Sequence, residues 1–323
     1  MRALLVGAIL LLLGPITGAV GETTPFRAGV ARLSVAAATP FDVLVWYPTQ
    51  AEEVPWQTGD FSIPASHDAA MAPGHFPIVL LSHGGGLTGG TPLILRELSA
   101  DLARRGFLVV APFHGKAGLK ARPGQVKLAL DDVLADSRFA SNVDPRRLGM
   151  LGFSLGTAVT LELAGAVPNV AHLVSYCAAH PDDIMSCGHA PDGKNGPAPG
   201  QTLPVGTASA PSPLPLKAIV LLDPYAVLFQ QHELTAVTMP VLVFRPKESE
   251  LPGEANAFSL VAALPQPPQF QTVPGRHFIF TDVCPAPLQS SAPEVCQDPA
   301  GVDRAAVHAA VEAQIARFFD DNL

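Results

Sequence analysis

Leu148-Gly149-Met150-Leu151-Gly152-Phe153-Ser154-Leu155-Gly156 is the stretch from which the rest of the chain can be organised. Its first half is a short apolar run suited to a buried strand. Thr157-Ala158-Val159-Thr160-Leu161-Glu162-Leu163-Ala164, directly after it, suits a helix. A strand turning at once into a helix crowds its own backbone, and glycines two residues either side of Ser154 relieve the crowding because they carry no Cβ. The expected product is a serine held out on a tight elbow, with the next amide and a helix N-terminus beside it. Gly-x-Ser-x-Gly also arises as an ordinary small-residue turn, so its meaning depends on what the remaining strand ends supply.

Outward from the elbow, further apolar runs end in polar or glycine-rich residues. Phe41-Asp42-Val43-Leu44-Val45-Trp46-Tyr47-Pro48 reads as an early strand. Phe76-Pro77-Ile78-Val79-Leu80-Leu81-Ser82 is continuous enough for a central strand and runs into His83-Gly84-Gly85-Gly86. Phe107-Leu108-Val109-Val110-Ala111-Pro112 is another. Leu216-Lys217-Ala218-Ile219-Val220-Leu221-Leu222 ends at Asp223, and Pro240-Val241-Leu242-Val243-Phe244 leads to Glu248. Phe270-Gln271-Thr272-Val273 comes last, before the Pro274-Gly275-Arg276-His277 loop. Helical patterns alternate with these runs: from Thr91-Pro92 to Gly106, over residues 126–137, and from the capping Asp303 along Val307, Val311, Ile315 and Phe318. Strands alternating with amphipathic helices predict an α/β fold, a mainly parallel sheet covered on both faces. Residues 52–75 show no period and are expected to be loop. Residues 180–215, rich in Pro, Gly and Ser, are expected to form an insertion above the sheet's carboxyl edge, either a lid or a passive loop.

Composition narrows the class. In 323 residues, 48% are hydrophobic and 15% charged, with a formal charge of −8 and no Lys/Arg cluster, so a large core is affordable and a nucleic-acid partner is not expected. Residues 1–21 have the form of a secretory signal: Arg2, an apolar segment over residues 3–13, Gly14-Pro15, then small residues for cleavage. Residues 22–323 are expected to be a single domain, exported to the periplasm or secreted, with no stable membrane span once the signal is removed. The four cysteines form two local pairs across short Pro-containing segments, so Cys177–Cys187 and Cys284–Cys296 are the expected disulfides of three connectivities. His180, Asp182, Asp183, Cys187 and His189 could instead ligate zinc, but their spacing matches no standard site, and no metal is expected.

A serine hydroxyl needs a base beside it and a carboxylate behind the base to act as a nucleophile. In a parallel sheet these must come from loops at strand carboxyl ends. Among His232, His277 and His308, the loop residue His277 is the expected base. Asp223 and Glu248 both follow strands, with Glu250 close by, and geometry alone leaves the acid between Asp223 and Glu248. The Leu155 amide is one expected oxyanion donor, and the His83–Gly86 loop should supply another.

These stretches carry a resemblance. Trp46-Tyr47-Pro48, the run from Leu81 to Gly86, Phe107 to Ala111 and the serine elbow match it. So do the run from Tyr176 to Asp183, Leu222-Asp223-Pro224, the His277 loop and the helix from Arg304 to Phe319. Together they resemble the α/β-hydrolases, in particular the branch holding platelet-activating-factor acetylhydrolases and proteins labelled predicted dienelactone hydrolases. The resemblance implies an α/β-hydrolase catalytic domain: a serine esterase acting on small-molecule or lipid esters without a cofactor. It implies Asp223 as the acid, with Glu248 the fallback, and Gly85, with Gly84 adjacent, as the second oxyanion donor. Two departures stand out. Phe153 replaces the His common before the serine, and Ser154 replaces the cysteine of dienelactone hydrolases proper. Rival readings are a non-catalytic binding protein on this fold, or an amidase or acyltransferase using the same residues. Oligomeric state is not expressed in the sequence.

Overall fold

A computed structural model describes residues 25–85, 90–188 and 212–323. The expected signal segment, Gly86, His189 and most of the 180–215 insertion lie outside these residues. Ten strands among the described residues join one sheet: β1 (Arg27–Val35), β2 (Phe41–Thr49), β3 (Val54–Thr58), β4 (Phe61–His67), β5 (Phe76–Ser82), β6 (Leu108–Pro112), β7 (Val143–Phe153), β8 (Ala218–Leu222), β9 (Val241–Pro246) and β10 (Gln269–Val273). Their order is β10-β9-β8-β7-β5-β6-β2-β1-β4-β3. From β10 to β6 every neighbouring pair is parallel. β2 pairs antiparallel with β6, and β1 antiparallel with β2. The expected α/β architecture with a mainly parallel sheet is what the chain forms.

Burial on both faces explains the continuous apolar runs. In β5, Ile78 and Leu80 join the core on one face while Val79 and Leu81 join the core on the other. All four are 0% exposed. Burying one large aliphatic side chain contributes about 1.5–3 kcal/mol. An exposed ion pair such as Arg32–Asp42 contributes about 0–1 kcal/mol, so apolar burial decides the layering. The helices α1 (Arg96–Arg104) and α2 (Arg122–Ala135) cover opposite faces, as Leu98 and Leu102 of α1 sit in one core and Val126, Leu130 and Val133 of α2 in the other. α3 (Leu155–Leu163) lies with α2, and its residues from Gly156 to Leu163 are all buried. α4 (Val170–Ala179), α5 (Ile184–Cys187), α6 (Ala257–Ala263), α7 (Ala286–Ser291) and α8 (Pro293–Cys296) precede the long C-terminal α9 (Arg304–Asn322). Asp303 caps α9 by accepting from the Ala306 amide at 3.1 Å, and Val307, Val311, Ile315 and Phe318 are buried along it, as expected.

Two segments differ from expectation. Residues 52–75 are not all loop: β3 and β4 form a hairpin around Gly59, which has φ 57°. Its prolines, Pro55 and Pro64, face one another across the ladder, at a pair that asks neither for an N–H. β1 lay unrecognised before β2, although Val30, Ala31 and Val35 are buried. Both local cysteine pairs are bonded, Cys177 with Cys187 and Cys284 with Cys296. Among the described residues no helix is long and apolar enough to cross a membrane.

One buried charge-bearing group in this frame belongs to neither core. Glu162, on α3, is 6% exposed with Oε1 unpartnered, and burial pushes its carboxyl up to about 8. The folded chain therefore keeps a proton that the unfolded chain releases, so this contribution is complete in acid and is lost as pH rises towards 8. Replacing Glu162 with Gln should leave the melting temperature nearly unchanged near pH 4.5. It should raise that temperature by several degrees at pH 8, as read by thermal denaturation across the pH range.

Candidate active site

The elbow forms as expected, and steric necessity explains it. Ser154 sits between β7 and α3 with φ 53° and ψ −123°, a conformation costing on the order of 1–3 kcal/mol. A Cβ on Gly152 would strike the Gly156 carbonyl and the Thr160 hydroxyl, and one on Gly156 would strike the Ser82 carbonyl. α3 therefore packs its first turn directly onto the end of β5. The Ser154 amide donates to the Leu222 carbonyl at 3.0 Å, which ties the elbow to the end of β8. Thr157 Oγ1 donates to the Ser154 carbonyl at 2.6 Å and accepts from the Tyr225 amide at 2.9 Å.

Three residues distant in sequence meet at this elbow. His277 Nε2 lies 3.0 Å from Ser154 Oγ, and His277 Nδ1 lies 2.6 Å from Asp223 Oδ2. Asp223 ends β8 with φ 40°; with Ser154 it makes two of the three non-glycine positive-φ residues among those described. Asp223 is 0% exposed. Its Oδ2 also accepts from Ser249 Oγ at 2.5 Å, while Oδ1 has no hydrogen bond and faces Arg245 Nη1 at 3.5 Å. The His277 amide donates to Glu250 Oε2 at 3.0 Å, and Glu250 pairs with Arg276 at 2.9 Å.

The other candidates fall elsewhere. Glu248 is exposed, and it is Asp223 that meets the imidazole. His232 has an almost fully exposed side chain, and His308 is buried on α9, donating from Nε2 to the Ile279 carbonyl at 2.7 Å. Phe153 is 1% exposed and lays its ring against the His277 imidazole, centroids 5.1 Å apart and planes 29° apart, so it backs the histidine from within the core. Glu250 was noted only as a carboxylate near Glu248, and Ser249 and Arg245 were given no role, because the run after Phe244 looks like a solvated turn. The one signal was Arg245, a cation directly following four apolar strand residues.

The glycine loop lies against the elbow. A Cβ on Gly84 would come within 3.3 Å of Ser154 Cβ and the Phe153 ring, and one on Gly85 within 2.7 Å of the Leu155 side chain. The Leu155 amide is the first of α3, an N–H that a helix leaves without an internal acceptor. Beneath the loop, His83 Nδ1 donates to the Gly84 carbonyl at 2.6 Å and its Nε2 accepts from the His114 amide at 3.3 Å. Only the neutral ring protonated on Nδ1 satisfies both contacts, and burial with the Arg122 charge lowers its pKa to about 3. Ser82 Oγ and Gln125 Oε1 bind the two nitrogens of His114, also held neutral by burial.

Three of the five candidate zinc ligands serve other contacts. Cys187 is in its disulfide, Asp183 caps α5 and accepts from the Tyr176 hydroxyl at 2.8 Å, and His180 stacks on Tyr176. Elsewhere Glu97, Asp282 and His308 bring ligand-type atoms within 4.8 Å of one another. There the Arg96 guanidinium lies 3.2 Å from Asp282 and 3.4 Å from Glu97, so a cation already joins the two carboxylates. A cavity of about 520 Å³ beside α4 and α6, bounded by His172, Tyr176 and Phe229 among others, includes none of Ser154, His277 and Asp223.

Sheet order, elbow and strand-end loops together define an α/β-hydrolase fold. Among solved structures, the chain is similar to a ferulic acid esterase from Streptomyces cinnamoneus, with a TM-score of 0.64 and 20% identity over 94% of this chain and 92% of that one. No family model matches the chain, and no curated protein does.

The packing of α3 on β5 leaves no room for a methyl group at Gly156. Gly156→Ala should overpack a contact with backbone that cannot rotate away, costing at least about 1–3 kcal/mol. A lowered denaturation midpoint in urea, compared with an Ala substitution at Gly124, where an added Cβ meets nothing within 4 Å, checks this.

Proposed function

We propose that the chain is a serine hydrolase cleaving carboxylic esters. The observation carrying this reading is the hydrogen-bonded series Ser154 Oγ to His277 Nε2 and His277 Nδ1 to Asp223 Oδ2. Ser154 attacks the acyl carbon while His277 takes its proton; the same proton then passes to the departing alcohol as the acyl-enzyme forms. Water, deprotonated by His277, attacks the acyl-enzyme and returns Ser154. Asp223 holds the imidazole in the tautomer that presents a bare Nε2 to the serine and stabilises the imidazolium that follows. Ser249 and Arg245 fix the carboxylate, Glu250 fixes the His277 backbone, and the Leu155 and Gly85 amides receive the oxyanion. The name of the Streptomyces neighbour supports esters as the substrate class, which here would be small-molecule or lipid esters. The narrower resemblance to the acetylhydrolase branch rests on the sequence stretches alone.

On this reading residues 22–323 form one catalytic domain, preceded by a signal at 1–21 and carrying an insertion over about 180–215. The two disulfides suit a periplasmic or secreted enzyme. Ser154→Ala should lower kcat for p-nitrophenyl acetate by at least about 10⁴-fold and abolish labelling by a fluorophosphonate probe. Asp223→Asn should lower kcat by about 10⁴-fold with the melting temperature retained. Wild-type rates in Ser154→Ala would sink the proposal.

A further inference from the structure

Arg122 stands at the start of α2 and is 2% exposed. A guanidinium buried this deeply is costly unless its donors are satisfied and its charge is put to use. No described carboxylate pairs with it. Its donors go to three backbone carbonyls: Nε to Ala117 at 2.9 Å, and Nη1 to His83 at 2.9 Å and Gly84 at 3.3 Å. Burial lowers its pKa only to about 10, so the group remains a cation at neutral pH.

The Gly84 carbonyl is thus held by two donors, Arg122 Nη1 and His83 Nδ1–H. That carbonyl and the Gly85 N–H belong to one planar trans peptide unit, in which C=O and N–H point in opposite directions. Fixing the carbonyl towards Arg122 turns the Gly85 amide away from it. Gly84 itself packs beside Ser154, and Arg122 Nη2 lies 2.9 Å from where a Gly85 Cβ would stand. We propose that Arg122 is a positioning residue for the oxyanion site: it clamps the His83 and Gly84 carbonyls and so aims the Gly85 N–H at the oxygen that develops on the acyl carbon. The charged donor also polarises the peptide it grips and strengthens that N–H as a donor. The sequence offered no sign of this, since Arg122 stands 32 positions before Ser154, ahead of the expected helix at 126–137.

This inference rests on the esterase reading, and the experiment separates the two. Steady-state hydrolysis of p-nitrophenyl acetate is measured for wild type, Ser154→Ala, Arg122→Ala and Arg122→Lys, with and without guanidinium chloride at tens of millimolar, and folding is checked by thermal melting. Arg122→Ala should lose about 10–100-fold in kcat, less than the about 10²–10³ of deleting an oxyanion donor outright, with KM within about threefold of wild type. Added guanidinium should restore part of that kcat and leave wild type unaffected. Binding of a boronic acid, whose tetrahedral adduct places an oxygen in the same site, should weaken by the same factor as kcat. A folded Arg122→Ala with wild-type kcat overturns the proposal, as does a loss that guanidinium does not restore. If Arg122→Ala fails to fold, Arg122→Lys decides: a single ammonium cannot hold the Ala117 carbonyl while gripping those of His83 and Gly84, so it should lose about tenfold in kcat at unchanged KM, and wild-type kcat overturns the proposal. Full activity in Ser154→Ala would instead remove the esterase reading on which the inference stands.

Discussion

The contact on which the site depends is the seating of α3 on the end of β5, where Gly156 meets the Ser82 carbonyl with no space for a side chain. Because α3 starts there, the elbow cannot relax, and Ser154 is kept at φ 53°. The same contact sets the glycine loop, which leaves β5 at Ser82, beside the serine and the first amide of α3. Every other part of the site is brought to this point by a neighbouring strand: β8 delivers Asp223, β9 delivers Arg245 and its following turn, and β10 delivers the His277 loop. The order β10-β9-β8-β7-β5 places their carboxyl ends side by side, and a parallel sheet makes them all open on one edge.

Around this edge the chain buries several ionisable groups and gives each a different environment. Asp223 lies against His277, Ser249 and Arg245, so its charge has partners on both oxygens' sides. His83 and His114 are kept neutral beneath the glycine loop by lack of water and by the Arg122 charge. These placements cost desolvation energy, so they make a polar floor under the loops that apolar packing alone would not specify. Phe153 belongs to the same floor. Its ring lies on the His277 imidazole.

Much of the frame was legible because its signals are local. Continuous apolar runs marked β5, β6, β8 and β9, and a capping Asp with apolar spacing marked α9. Where the same signals misled, the reason is equally physical. Pro55 and Pro64 disguised a hairpin as loop, since proline excludes a strand only where a partner needs its N–H, and here the two prolines face each other. The Gly59-Asp60 pair was the turn signal that could have found it. β1 was overlooked because its buried residues are mostly small, with Ala28, Val30 and Ala31 at its centre.

Local sequence carries the order of the parts: a glycine loop, a serine elbow, a carboxylate and a histidine, each following an apolar run. The cysteine pairs are local too, because a separation of ten or twelve residues keeps the members of each pair in neighbouring elements. Those are short-range constraints, written within a few residues of one another. What tertiary structure decided are contacts between groups far apart in the chain. His277 reaches Asp223 across 54 positions and Ser154 across 123, and it is Asp223, not Glu248, that lies behind the ring. Arg122, Arg245, Ser249 and Glu250 acquire their places only when neighbouring strands and α2 are packed together. No local pattern encodes such distances; they follow from strand order, which the burial of the whole sheet selects.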